Sequence, residues 1–155
     1  MPASTRAIRV NPADETLRLG PLTLRFLITG EQSNGSVAIF EFAVPAGQRL
    51  AAPAHSHDHY EESAYGLEGV LTWTVDGKAF EVGPGQSLCI PRGAVHRFDN
   101  HGSQDAKALG VVTPAAIGLQ FFREMAEVMR AAAGGPPDRA LMAEIMRRHG
   151  LTPAA

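Results

Sequence analysis

The chain has 155 residues, of which 45% are hydrophobic and 19% charged, with a formal net charge of −2. That size and balance suit one folded domain whose core needs no disulfide staples. They exclude a strongly basic binder of nucleic acid or anionic membrane, and no apolar run reaches the roughly 18 residues that would span a bilayer.

Residues 1–15, with Pro2, Pro12 and Asp14, read as an arm with little periodicity and no apolar stretch of the secretory kind. Strand-like runs follow at Thr16–Leu19 and Leu22–Thr29, and at Ser36–Val44 after the turn-forming Ser33-Asn34-Gly35. In Ser36–Val44 both faces carry apolar residues, as in a strand covered on both sides. A short extended piece, Leu50–His57, leads through a turn to Glu62–Leu67. Leu71–Val75 and Lys78–Val82 flank Asp76-Gly77, the sequence of a two-residue type I′ hairpin turn. Ser87–Ile90, Val95–Phe98 and Ala106–Val112 complete the strands. Many short strands at even spacing, punctuated by 16 glycines and 11 prolines, predict a sandwich or barrel.

The tail changes period. Thr113-Pro114 is expected to cap a helix in which Phe122, Met125, Met129 and Ala132 recur at helical spacing. After Gly134-Gly135-Pro136-Pro137, Asp138 is expected to cap a second helix with Leu141 and Ile145 on one face, ended by Gly150. The predicted fold class is therefore all-β with two C-terminal α-helices.

Three of the six histidines fall between His55 and His59. On a strand, residues two apart share a face, so His55 and His57 present their imidazoles side by side. Glu62 follows after a short loop, and His96 arrives on a later strand behind the Pro91-Arg92-Gly93 corner. Three imidazoles and a carboxylate suit a divalent first-row transition metal, and four protein ligands leave coordination positions open for chemistry. His101 and His149 are expected to be merely solvated, and Cys89 to be a buried small apolar group that forms no internal bridge.

Two blocks of this sequence resemble the paired motifs of the cupin superfamily. The first runs from Gly47 to Gly69 and matches His-x-His, four residues, Glu, six residues, Gly at His55, His57, Glu62 and Gly69. The second runs from Gly85 to Asn100 and matches Gly, five residues, Pro, then Gly, His and Asn at Gly85, Pro91, Gly93, His96 and Asn100. Gly47 stands two residues farther from His55 than in the family pattern, so the incoming loop is longer. The resemblance implies a double-stranded β-helix, or jelly-roll barrel, over residues 16–113, followed by a helical extension over 114–155 packed on the barrel or on a dimer partner. It also implies that His55, His57, Glu62 and His96 hold one divalent metal. Iron(II) is the first choice; manganese, nickel, zinc and copper are alternatives. Glu61 is the alternative carboxylate, and Glu62 is preferred because it alone keeps the spacing to Gly69.

By the same resemblance the expected activity is that of a quercetinase-like dioxygenase, with Glu62 also accepting a proton from a small substrate, aromatic ones included. A non-enzymatic metal- or ligand-binding cupin, or a cupin isomerase or decarboxylase, is the alternative, since fold does not fix function. A cytoplasmic homodimer without nucleic-acid or membrane partners is expected. Ala64 and Gly66, small and on the Glu62 face, predict a wide cavity unless Phe40 or Phe98 fills it from the opposite wall. Leu71, Trp73 and Val75 are expected to pack outside the barrel. Tyr60, Tyr65 and His59 lie near the site in sequence, and His59 is a candidate proton relay.

Overall fold

The computed structural model of the chain describes Val10 and residues 15–155; the arm expected over residues 1–15 otherwise lies outside the described residues. Ten strands come first: β1 (Glu15–Leu19), β2 (Leu22–Ile28), β3 (Ala38–Val44), β4 (His55–His57), β5 (Glu61–Glu68), β6 (Leu71–Val75), β7 (Lys78–Val82), β8 (Ser87–Ile90), β9 (His96–Asp99) and β10 (Ala106–Thr113). Two helices, α1 (Leu119–Ala131) and α2 (Arg139–Arg148), and a last strand, β11 (Leu151–Pro153), complete the chain. The strands form two sheets, ordered β1-β2-β3-β10-β5-β8 and β11-β4-β9-β6-β7, and every strand pair is antiparallel. The predicted β-sandwich with two C-terminal helices is what the chain adopts.

Strand alternation puts one face of each sheet inward. From the larger sheet come Leu24, Phe26, Phe40, Phe42, Ala108 and Val112, all buried; from the smaller come Leu71 and Trp73. Aromatic rings fill the space between. Phe42 lies 5.0 Å from Phe40 and 4.8 Å from Phe98, and Phe98 lies 4.6 Å from Trp73. Such pairs contribute about 0.5–1.5 kcal/mol each beyond their burial. Gly110 makes room for two of them, since a Cβ there would come within 2.6 Å of the Phe40 ring and 2.8 Å of the Phe42 ring. The Asp76-Gly77 turn has both residues at positive φ, +46° and +79°, as type I′ requires.

Several expectations are corrected. Leu71 and Trp73 do not pack outside: β6 lies between β7 and β9, and Trp73 turns onto Phe42 and Phe98 in the core. Its register partner Phe80, on the edge strand β7, is exposed instead. Cys89 is exposed because the two-residue period of β8 sends Leu88 and Ile90 inward. Thr113 does not cap a helix: it stays in the ladder opposite Glu61, and α1 begins only at Leu119, with Gly118 before it. In α2 the Asp138 side chain does accept from the Leu141 amide (3.0 Å), but Met142, Ile145 and Met146 form the buried face and Leu141 is exposed. His149 is not simply solvated; its Nε2 lies 2.9 Å from Glu124 on α1.

β11 has no counterpart in the sequence reading. Gly150, at φ +78°, turns the chain out of α2, and Leu151–Pro153 then pairs with β4, Leu151 opposite His57 and Pro153 opposite His55. The Asp58 amide donates to the Gly150 carbonyl (2.9 Å) and the Ala154 amide to the Ala54 carbonyl (2.8 Å). On its other side β4 is registered with β9 only through His55 and His96. A chain ending at His149, which lacks the Gly150 carbonyl as well as β11, is expected to lose about 2–5 kcal/mol, because Leu151 is a buried core side chain. Its Asp58 amide should also exchange much faster by hydrogen-exchange mass spectrometry. Unchanged exchange would mean that β4 does not need its tail partner.

Candidate metal centre

Each site residue is placed by backbone that the sequence dictates locally. His55 and His57 sit on β4, a three-residue strand that follows the long loop from Gly47. That loop is anchored where the buried Asp99 carboxylate accepts from the Leu50 amide (2.7 Å) and Arg97 Nη2 donates to the Leu50 carbonyl (2.7 Å). His96 begins β9 behind the Pro91–Ala94 turn, in which the Ala94 amide donates to the Pro91 carbonyl (3.2 Å). Gly93, at φ +86°, lets its amide reach the His57 carbonyl (2.9 Å), tying that corner to the ligand strand.

The three imidazoles come from one sheet and a carboxylate meets them from the other. Ligand atoms of His55, His57 and His96 all lie within 4.8 Å of one another. Glu62 Oε2, on β5, is 3.3 Å from His96 Nε2 and 3.5 Å from His57 Nε2. His55 Nδ1 is 3.1 Å from the Pro53 carbonyl and His96 Nδ1 is 2.9 Å from the Ala94 carbonyl. Since a carbonyl can only accept, both rings carry hydrogen on Nδ1 and turn Nε2 toward the centre, as metal-binding histidines do. His57 differs. Its buried Nδ1 has no partner, and its ring is held by stacking on Tyr60, 4.3 Å between centroids with 24° between planes.

Electrostatics divides the set. Burial pushes His55 down to about 4 and His57 to about 3, so both are neutral at physiological pH and offer free lone pairs. For His96, burial is outweighed by the hydrogen bond to Glu62 and the charge of that carboxylate, and its pKa is raised. For Glu62, burial is likewise outweighed, by the His96 hydrogen bond and the field of the imidazoles, and its pKa is lowered. A proton between His96 and Glu62 thus takes the place of a cation. Neutral imidazole donors, fixed tautomers and a buried carboxylate fit a divalent ion, so the His55, His57 and His96 cluster can hold one.

The remaining candidates separate by position. Glu61 points away and grips Arg92 through two hydrogen bonds, 2.6 and 2.9 Å. His59 is exposed beside Gly150, and Tyr65 is exposed on β5. Tyr60 is fully buried, with its hydroxyl unpartnered. The expected wide cavity is absent: the space at the histidines measures about 90 Å³ and is lined by both Phe40 and Phe98. Ala64 and Gly66 do face inward, but Gly66 backs onto the next turn, where a Cβ would sit 2.0 Å from the Gly83 carbonyl oxygen. Sequence reasoning missed the far wall, which Ile117, α1, Met146 of α2 and Leu151 supply. The only signal for it was the helical apolar period of Phe122 and Met125.

Comparison with known proteins bears on both fold and site. A family profile described as the cupin domain matches residues 40–112. Quercetin 2,3-dioxygenase of Bacillus subtilis (strain 168) is 29% identical over 115 residues, 73% of this chain and 32% of that protein. Polyketide synthase CurC of Streptomyces cyaneus is 36% identical over 70 residues, 45% of this chain and 44% of that protein. The chain therefore spans less than half the length of both. Among solved structures, the polyketide cyclase RemF from Streptomyces resistomycificus has a TM-score of 0.58 at 28% identity, covering 70% of this chain and 80% of that one.

Because a cation replaces the His96 proton, metal binding at pH 6.5 is expected to release the larger part of one proton per ion, from His96 and not from His55 or His57. Titration calorimetry in buffers of different ionisation enthalpy measures this. In Glu62→Gln the histidine loses its carboxylate, burial lowers its pKa, and the release should fall toward zero; an unchanged release would remove the His96–Glu62 proton from the account.

Proposed function

We propose that this chain, whose residues 40–112 are a cupin domain, is a metal-dependent enzyme acting on a small molecule, and that its reaction is a dioxygenation. The observation that carries this reading is the buried meeting of His55, His57 and His96 with Glu62 across the sandwich. Three imidazoles and one carboxylate would hold a divalent ion and leave positions facing the cavity. Iron(II) is the first choice, with manganese, nickel, zinc or copper as alternatives. Such an ion, when bound, supplies Lewis acidity and, if redox-active, electron transfer between substrate and dioxygen.

The chain's own residues do the rest. His55 and His96, locked through Nδ1, fix the direction of the open face. Glu62 completes the ligand set and, being anionic and buried beside the cavity, is the group placed to accept a proton from a substrate hydroxyl. The apolar walls exclude water from a reactive intermediate. Support for oxygen chemistry comes from the likeness to the quercetin 2,3-dioxygenase of Bacillus subtilis. A cytoplasmic homodimer remains part of the proposal; among the described residues no helix is long and apolar enough to cross a membrane.

A second reading is non-oxidative Lewis-acid chemistry of the isomerase, decarboxylase or cyclase kind, its cyclase form supported by the likeness to the polyketide cyclase RemF. A cupin that binds a ligand without turnover is the third. Elemental analysis of protein purified anaerobically without chelator or nickel column is expected to find close to one iron, manganese or nickel per chain. His55→Ala, His57→Ala and His96→Ala should each lose most of it while staying folded. Oxygen uptake with small enolic substrates, abolished in Glu62→Gln, would support dioxygenation. Stoichiometric zinc with no oxygen uptake would favour the Lewis-acid reading, and full metal in all three alanine variants would remove the ligand set.

A further inference from the structure

The walls of the cavity select what can reach the histidines. Apart from His55, His57, Glu62 and His96, every side chain that lines it is apolar. Basic side chains nearby are spent elsewhere: Arg97 on the Leu50 carbonyl and Asp99, Arg92 on Glu61 at the surface. Among the described residues lining the cavity, a phosphate or second carboxylate would find no lysine or arginine to offset its desolvation.

Size is limited by the tail. Phe121, Phe122 and Met125 of α1 line the cavity, with Phe122 held 5.4 Å from Phe40 and 5.8 Å from Phe26 between ring centroids. An apolar cavity of about 150 Å³ holds benzene. By the same packing, about 90 Å³ holds roughly three to four non-hydrogen atoms.

We propose that α1, through Phe122 and Met125, is the specificity-determining wall of this site, and that it restricts the substrate to compact, uncharged oxygen-bearing molecules, refusing phosphorylated and flavonol-sized ones. The substrate part of this inference rests on the metal site proposed above; the size limit does not. It sets the chain's substrate apart from a flavonol even though a quercetin dioxygenase is among its relatives.

The test has a metal-free and a metal-loaded arm. In metal-free protein, saturating benzene should leave the melting temperature of the wild type unchanged and raise that of Phe122→Ala by several degrees, since a ligand that fits only the enlarged cavity stabilises only that variant. Met125→Ala, a smaller excision, serves if Phe122→Ala fails to fold. In cobalt-loaded protein, glycolaldehyde should perturb the visible spectrum of the wild type. Catechol should perturb the spectrum only in Phe122→Ala, whose cavity gains the room of one ring, and 3-hydroxyflavone and dihydroxyacetone phosphate should perturb it in none of them. Benzene stabilising the wild type as much as the variants, or 3-hydroxyflavone binding the wild type, would overturn the proposal, as would folded variants of both kinds that admit neither benzene nor catechol. Failure to take up cobalt would count against the metal site alone, and the benzene arm would still decide the size limit.

Discussion

A carboxylate buried between two sheets is tolerable only where positive charge or hydrogen-bond donors meet it, because its desolvation costs several kcal/mol. Here Glu62 is brought to His57 and His96 by strands from opposite sheets, and both imidazoles are themselves buried. Each partner would be unfavourable alone. Together they make a polar centre inside an otherwise aromatic core, with a vacancy of charge that one proton fills partly and a divalent ion fills better. The sandwich is therefore closed over a group whose stability and chemistry are the same electrostatic problem.

Holding that centre requires more than its own strand. β4 is three residues long and cannot fix two rings by itself. The Leu50 anchor on Asp99 sets where the chain arrives, the Gly93 amide ties down the His57 carbonyl, and β11 supplies the outer ladder. The rings are then fixed unequally. His55 and His96 are oriented by carbonyls, whereas His57 depends on the flat contact with Tyr60 and keeps an unsatisfied Nδ1. Among the three, His57 has the least enforced orientation.

Much of this was legible in the sequence, and the reason differs by element. The β6–β7 hairpin was read to the residue because Asp-Gly is a local signal that needs no tertiary context. The two-residue period put His55 and His57 on one face, and the resemblance to the cupin motifs implied that Glu62 and His96 join them. Glu62 over Glu61 was settled in the fold by alternation: one faces the histidines and the other faces Arg92. What failed was long-range. Trp73 and Cys89 alternate correctly along their strands, but which face is inside depends on the neighbouring strands and not on the strand itself. β11 is three residues ending in proline, with a polar threonine at its centre, and nothing in Leu151-Thr152-Pro153 distinguishes it from a frayed terminus.

That unread segment unites two roles usually carried by different parts of a fold. Leu151 is both the register partner of His57 and part of the cavity wall, next to Met146 of the helix that delivers it. The same docking that completes the ladder of the ligand strand thus also closes the space in front of the ligands. His149 against Glu124, and Thr152 donating its hydroxyl to Asp58, reinforce the docked arrangement from the solvent side. The geometry of the histidines and the size of the cavity are in consequence not independent variables in this protein. A change that lifts the tail to admit a larger molecule must also loosen the strand that presents His55 and His57. The small cavity is then a consequence of how the histidine cluster is held together, and enlarging it without displacing His55 and His57 has to proceed through α1 side chains that leave β11 in place.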